Sequence, residues 1–170
     1  MNYFCFILVF IFSITMINAQ TQSHHSSETG NEIKAFTSEQ IKSYLEGEGM
    51  GLAKTAELNH FPGPKHVLDL AKELNLSQSQ IDSTEKIFGM MKGKAVYLGK
   101  IIIEKEKQLD QLFNSGNADE ESVRNIVTEI AQHQGELRFT HLNAHIQQKE
   151  ILTSDQISVY DKLRGYVVKY

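Results

Sequence analysis

A long repeat of apolar residues constrains this chain more than any other feature. From residue 81 to residue 112, positions at alternating spacings of three and four are apolar, apart from Thr84 and Lys105. Such spacing predicts one stripe along a single long helix that packs on a partner helix. The members of the stripe are Ile81, Thr84, Phe88, Met91, Ala95, Leu98, Ile102, Lys105, Leu109 and Leu112.

A second stripe with the same period follows and supplies the partner helix. Its members are Val123, Val127, Ile130, Gln134, Leu137, His141, Ala144, Gln148 and Ile151. Between the stripes, Gly116 can end one helix and Asp119 can cap the next. Two long helices joined by so short a loop are expected to fold back as an antiparallel hairpin. One face of each helix then remains for the flanking segments, or for a partner, to cover.

The first 19 residues have the pattern of a secretory signal peptide. The chain is apolar from Phe4 to Ile17, and a small residue, Ala19, provides the predicted cleavage site. A retained membrane anchor is the alternative, although the run is short for a span of about 20 residues. The chain's single cysteine, Cys5, lies in this segment, so the cleaved protein would contain neither a disulfide nor a reactive thiol.

The remaining chain is expected to form one domain. Residues 20–32 are polar, include His24 and His25, and predict a disordered tail. Residues 33–166 predict a single all-α domain, followed by a short tail of residues 167–170. The 17 basic and 21 acidic residues give a formal net charge of −4, which provides no electrostatic footprint for nucleic acid.

The same helix-start signal occurs three times. In each copy an apolar residue precedes Ser or Thr, and Gln follows three residues later with Ile directly after it. This is a capping box, in which the hydroxyl accepts from the Gln backbone amide and the Gln side chain reaches back to the capping residue's amide. The pairs are Thr37 with Gln40, Ser77 with Gln80, and Thr153 with Gln156.

Two histidines in the second long helix are the principal candidates for metal ligands. His141 and His145 are four residues apart, which places both imidazoles on one face of a helix. Further ligands are expected from Glu104 or Glu106 across the hairpin, from His60 or His66 beside the Pro-Gly-Pro turn, or from a second subunit. The alternative interpretation is a pair of interface histidines that bond to their neighbours.

The sequence carries no pattern that predicts an enzyme. It lacks a His-Glu-x-x-His motif, a nucleophile elbow and a dinucleotide fingerprint. The glycine-rich residues 47–51 lack the Lys-Ser/Thr of a phosphate-binding loop, and they predict a hinge instead.

With these features the chain resembles the Spy/CpxP group of periplasmic proteins, which includes periplasmic heavy-metal sensors. The hallmark of that group is a Leu-Thr-x-x-Gln motif, and residues 76–80 and 152–156 match it, with Ser in place of Thr in the first copy. The stretch of residues 49–68 also resembles the heavy-metal sensor subgroup. The resemblance covers residues 33–166.

The resemblance implies a hooked four-helix hairpin that pairs into a cradle-like homodimer in the periplasm. It implies a sensor or resistance protein that binds a divalent ion (zinc, nickel or copper) through helix-borne histidines and reports to an envelope signalling protein. The alternative is an ATP-independent holdase chaperone that cradles unfolded clients. In either case, no stable membrane insertion is expected after cleavage of the signal peptide.

Overall fold

The computed structural model describes residues 33–166; the predicted signal peptide and the two predicted tails lie outside this range. Within it, all regular secondary structure is helical. The helices are α1 (Ser38–Leu45), α2 (Lys54–Glu57), α3 (Pro64–Asp69), α4 (Gln78–Asn114), α5 (Glu120–Ile151) and α6 (Ser154–Arg164). The prediction of an all-α fold around a long helix pair is therefore confirmed.

Helices α4 and α5 pack against each other along their length. Near the start of α4, Thr84 Oγ1 accepts a hydrogen bond of 3.1 Å from Gln148 Nε2 near the end of α5. Further along α4, Lys105 forms an ion pair with Glu129, which lies in the first half of α5. The two contacts fix which residues of the two helices lie level with one another.

The centre of the helix pair is apolar and follows the predicted stripes. The buried cluster comprises Ala95, Leu98, Ile102 and Leu137. Two members of the second stripe depart from it, since Val127 is 46 % exposed and Gln134 is also exposed. An α-helix drifts by about 20° per heptad relative to a strict seven-residue repeat, so a stripe over this length cannot stay in the interface throughout.

Helix α1 covers one face of α4 at a glycine. A Cβ atom at Gly99 would lie only 2.0 Å from the carbonyl oxygen of Tyr44, so the two backbones touch where a side chain would otherwise stand. The Tyr44 ring stacks on Phe36, with ring centroids 5.6 Å apart. Directly after α1 the chain turns through Gly47, whose φ of +60° favours glycine, and it enters the glycine-rich loop of residues 47–51.

A second apolar cluster joins the short helices to α6. Its buried members are Val67, Leu74, Leu152 and Tyr160. The neighbouring Pro62, Gly63 and Pro64 are buried as well. This packing presses the Pro-Gly-Pro turn against α5, because a Cβ atom on Gly63 would lie 2.9 Å from the imidazole Cε1 of His145.

The helix starts are capped as the sequence motifs suggest. Thr37, Ser77 and Thr153 are the N-caps of α1, α4 and α6, and both hydrogen bonds of the capping box are present at each. The Gln partners in these boxes are Gln40, Gln80 and Gln156. Asp119 caps α5, where its Oδ1 accepts from the amides of Glu121 and Ser122 at 3.0 Å. None of the helices within residues 33–166 combines the length and apolar character needed to cross a membrane.

Candidate functional site

A cavity of about 550 Å³ lies between the short helices and the long helix pair, in the first half of α4 and the second half of α5. The glycine-rich loop of residues 47–51, α2 and the Pro-Gly-Pro turn form one wall of it, and α4 and α5 form the other. Both candidate histidines, His141 and His145, line this cavity. The fold thus places the predicted histidine pair in a concave site between the short helices and the long helix pair.

The two histidines are buried and keep ring nitrogens available to a ligand. His141 is 3 % exposed, and its Nε2 has no hydrogen-bond partner among the described residues. His145 is 7 % exposed, and its Nδ1 lies 2.8 Å from the carbonyl oxygen of Phe61. A carbonyl only accepts hydrogen bonds, so Nδ1 of His145 carries the proton and donates it, which leaves the lone pair on Nε2.

Phe61 is itself held in place by two contacts. Its backbone N–H donates to the carbonyl oxygen of Ala56 at 3.1 Å, and the ammonium group of Lys149 lies 3.8 Å from the centroid of its ring. The carbonyl that selects the tautomer of His145 therefore has a fixed position. A fixed second partner of this kind is what orients the histidine ligands of metal sites.

Burial keeps both imidazoles neutral. It lowers the pKa of His141, and the neighbouring His145 and Lys92 lower it further. Burial also lowers the pKa of His145, although the bond to the Phe61 carbonyl acts in the opposite direction. A neutral imidazole is the form that binds a metal ion, since protonation would occupy the lone pair.

The carboxylate of Glu57 stands at the edge of the cavity and is bound by neighbours. Its Oε1 accepts from the Tyr160 hydroxyl at 2.6 Å and from the Arg164 guanidinium at 3.3 Å. The Tyr160 hydroxyl oxygen in turn accepts from the backbone N–H of Gly63 at 3.3 Å. Burial, and then the bond to Glu57, raises the pKa of Tyr160, so its hydroxyl remains a donor. Glu57 thereby connects α2 to α6 and, through the Tyr160 hydroxyl, to Gly63 of the Pro-Gly-Pro turn.

The weaker metal candidates occupy three different places. His66 lines the cavity, with its Nε2 3.9 Å from Glu57 Oε1. His60 does not line it, and its Nδ1 lies 2.6 Å from the Asp161 carboxylate. Glu104 also lies apart. Its neighbour Lys105 pairs with Glu129, which precedes His141 by twelve residues, a rise of about 18 Å along α5.

The register of the helix pair thus corrects the expectation that Glu104 reaches the histidines. Within residues 33–166, no group of three or more His, Cys, Asp or Glu side chains is placed so that it could hold a metal ion. Of the candidate ligands, the structure brings His141, His145 and His66 to the lining of one cavity and places His60 and Glu104 outside it.

Charged side chains surround the histidines in a pattern that the sequence did not reveal. Three lysines, Lys54, Lys65 and Lys92, line the cavity together with two glutamates, Glu48 and Glu57. These residues are spread over the loop, three helices and more than forty positions of sequence. No local motif links them, so only the packing of the short helices on the long pair shows that they share a site.

A second, smaller concavity of about 220 Å³ lies between α4 and α5. Met90 and Phe139, which are 66 % and 59 % exposed, contribute to its lining, as do Ile87 and Asn143. We call it the α4–α5 groove. Its lining thus combines exposed apolar side chains with polar ones.

Comparisons with protein-family models, with curated proteins and with solved structures each found no match.

Proposed function

We propose that this protein binds a divalent transition-metal ion through His141 and His145. The observation that carries the proposal is the Nε2 atom of His141, buried and without a partner among the described residues, in a cavity shared with the free Nε2 of His145. Zinc, nickel and copper are the ions that accept imidazole nitrogen from a helical pair at this spacing. Water, or His66 after a rotamer change, would complete the coordination.

The proposed setting is the periplasm, with residues 1–19 acting as the export signal. The long helix pair with short flanking helices is compatible with the hooked hairpin of the Spy/CpxP group, to which the chain's motifs are similar. On this proposal the protein is of the heavy-metal sensor or resistance type. It would act as a cradle-like homodimer that reports metal to an envelope signalling protein, and it would have no enzymatic activity.

The test is a calorimetric titration of the purified full-length chain with zinc, nickel and copper(II), each alone. The background variant is His24→Ala/His25→Ala, because that adjacent pair is itself a potential metal ligand. We expect binding at micromolar concentration or tighter, abolished by His141→Ala/His145→Ala. His133→Ala is the matched control, since this half-buried α5 histidine does not line the cavity.

Two results would contradict the proposal. One is the absence of binding for all three ions, and the other is binding that the double variant leaves unchanged. Thermal unfolding and far-UV circular dichroism of the double variant would show whether it keeps the fold. Should it unfold, the single variants His141→Asn and His145→Asn would make the same comparison with smaller changes in volume.

The α4–α5 groove favours a second candidate function, an ATP-independent holdase for unfolded clients. The groove exposes Met90 and Phe139, and Ile146, one heptad after Phe139 on α5, is exposed as well. On this proposal the protein suppresses aggregation of a denatured client without metal or ATP, and Phe139→Glu weakens the suppression. Phe113→Glu is the matched control, because Phe113 is equally exposed but lies at the end of α4, outside the groove. Equal activity of the two variants would refute this candidate.

A further inference from the structure

Two methionine side chains line the same cavity as the histidines. Met50 extends from the glycine-rich loop, and Met91 extends from α4. Thr84 of α4 and Gln148 of α5 are in contact. Met91 lies seven residues after Thr84, and His141 lies seven residues before Gln148. Helices that run in opposite directions from a shared contact keep such positions level, so Met91 faces His141 across the helix pair.

Met50 occupies an exposed position in the glycine-rich loop that lines the cavity. Its backbone lies in the left-handed region with φ +43°, and its side chain is 40 % exposed. It stands between Gly49 and Gly51, and a Cβ atom at either glycine would meet no described atom within 4 Å. The space beside both neighbouring glycines is therefore open, and the thioether of Met50 is carried on three rotatable bonds.

From this arrangement we propose that the cavity is a site for reduced copper, Cu(I), with two imidazole and two thioether ligands. The ligands are His141, His145, Met50 and Met91. The inference rests on the proposed function in one respect, because it takes the two histidines to be metal ligands. It differs in the ion, because sulfur donors change which metal the site prefers.

The chemistry of the donors favours Cu(I) over zinc and nickel. Thioether sulfur is a soft ligand that selects Cu(I), whereas divalent zinc and nickel gain little from it. The two histidines contribute neutral imidazoles, so the proposed ligand set carries no negative charge. A monovalent ion is matched by neutral donors more readily than a divalent ion is, because charge repulsion and desolvation both grow with the charge of the ion.

The experiment is a competition titration of the full-length His24→Ala/His25→Ala protein with Cu(I) against a chromophoric Cu(I) chelator, without oxygen and with ascorbate present. The test variants are Met91→Leu and Met50→Leu, and the matched control is Met90→Leu. Leucine conserves the volume of methionine and removes only the sulfur. Met90 is adjacent to Met91 in sequence but faces the α4–α5 groove.

We expect each test variant to lose at least about tenfold of the Cu(I) affinity and the control to lose none. X-ray absorption at the copper edge is expected to show sulfur neighbours in the parent protein and fewer in each test variant. Unchanged melting temperatures of the leucine variants would show that the loss reflects the missing sulfur rather than unfolding.

The outcomes separate this inference from the proposed function. Cu(I) binding that needs the histidines but is unchanged in both leucine variants overturns the thioether ligands and leaves histidine binding standing. Divalent binding without measurable Cu(I) binding also overturns the inference alone. Cu(I) binding in the absence of divalent binding supports the inference and overturns the divalent proposal. No binding of any ion overturns both.

Discussion

A reciprocal pair of glutamine amides joins the two Leu-Ser/Thr-x-x-Gln motifs and offers the sharpest test of what holds the helices together. Gln80 Nε2 donates to Gln156 Oε1 at 2.8 Å, and Gln156 Nε2 donates back to Gln80 Oε1 at 3.1 Å. Each amide also reaches a backbone carbonyl, that of Ile151 at 3.0 Å for Gln80 and that of Leu74 at 3.2 Å for Gln156. The two capping boxes therefore face one another and bind the start of α4, the end of α5 and the start of α6.

The substitution Gln80→Ala removes this network from one side. It deletes the cap bond to the Ser77 amide, the bond to the Ile151 carbonyl and the exchange with Gln156. A hydrogen bond contributes about 0.5–1.5 kcal/mol net, and bonds of partly exposed side chains fall in the lower half of that range. The four bonds that the substitution deletes, two of them in the exchange with Gln156, together predict a loss of about 3 kcal/mol in the free energy of unfolding. The substitution Gln40→Ala is the matched control, because Gln40 forms the same box with Thr37, and its loss predicts about 1 kcal/mol.

Urea unfolding followed by far-UV circular dichroism measures both losses on one scale. We also expect a coupling energy of about 1–2 kcal/mol between Gln80→Ala and Gln156→Ala in a double-mutant cycle, because the two side chains contact each other directly. A stabilising role of the glutamine network would be refuted if Gln80→Ala cost no more than Gln40→Ala, or if the effects of Gln80→Ala and Gln156→Ala were additive.

Two further predictions concern α1 and the buried histidines. Gly99→Ala is expected to lower the free energy of unfolding by about 2 kcal/mol or more, since its Cβ would meet the Tyr44 carbonyl. Gly93→Ala, on the open face of α4, is expected to raise the free energy of unfolding by about 0.5–1 kcal/mol. Equal effects of the two substitutions in urea unfolding would contradict this prediction. The second prediction is a fall in the free energy of unfolding as the pH drops from 7.5 to 5.5. Because burial lowers the pKa of His141 and His145 below the ordinary value of about 6.5, the unfolded chain binds protons there that the folded chain does not. Urea unfolding across this range is expected to give a weaker pH dependence in His141→Asn/His145→Asn, and an equal dependence would refute the assignment.

Most of the helices are predictable from the sequence because their signals are local. A cap such as Ser77 acts on an amide three residues away, and a stripe repeats within each turn of its helix, so neither needs knowledge of the rest of the fold. The placement of Glu104 failed for the opposite reason. The position of Glu104 along the helix pair relative to His141 depends on the register of α4 against α5. The contact between Thr84 and Gln148, which are 64 positions apart in sequence, reports that register.

The cavity depends still more on long-range packing. The position of Gly63 against the ring of His145 follows from the burial of the Pro-Gly-Pro turn against α6, and the sequence offers no periodic signal for that contact. The pairing of Nδ1 of His145 with the Phe61 carbonyl has the same origin, across 84 positions of sequence. The two histidines could be proposed from their spacing, but their free nitrogens could not.

The two candidate functions occupy different faces of α5, and this separation decides how they can be told apart. Successive residues of an α-helix are rotated by about 100°, so His141 points about 160° away from Phe139, while His145 stays within about 40° of His141. Substitutions at the histidines should therefore leave the groove intact, and Phe139→Glu should leave metal binding intact. Met91 is the exception, because it lines both the cavity and the groove. A side chain shared in this way connects the two sites, so an effect of metal on client binding is expected to be lost in Met91→Leu, while client binding without metal is expected to stay unchanged.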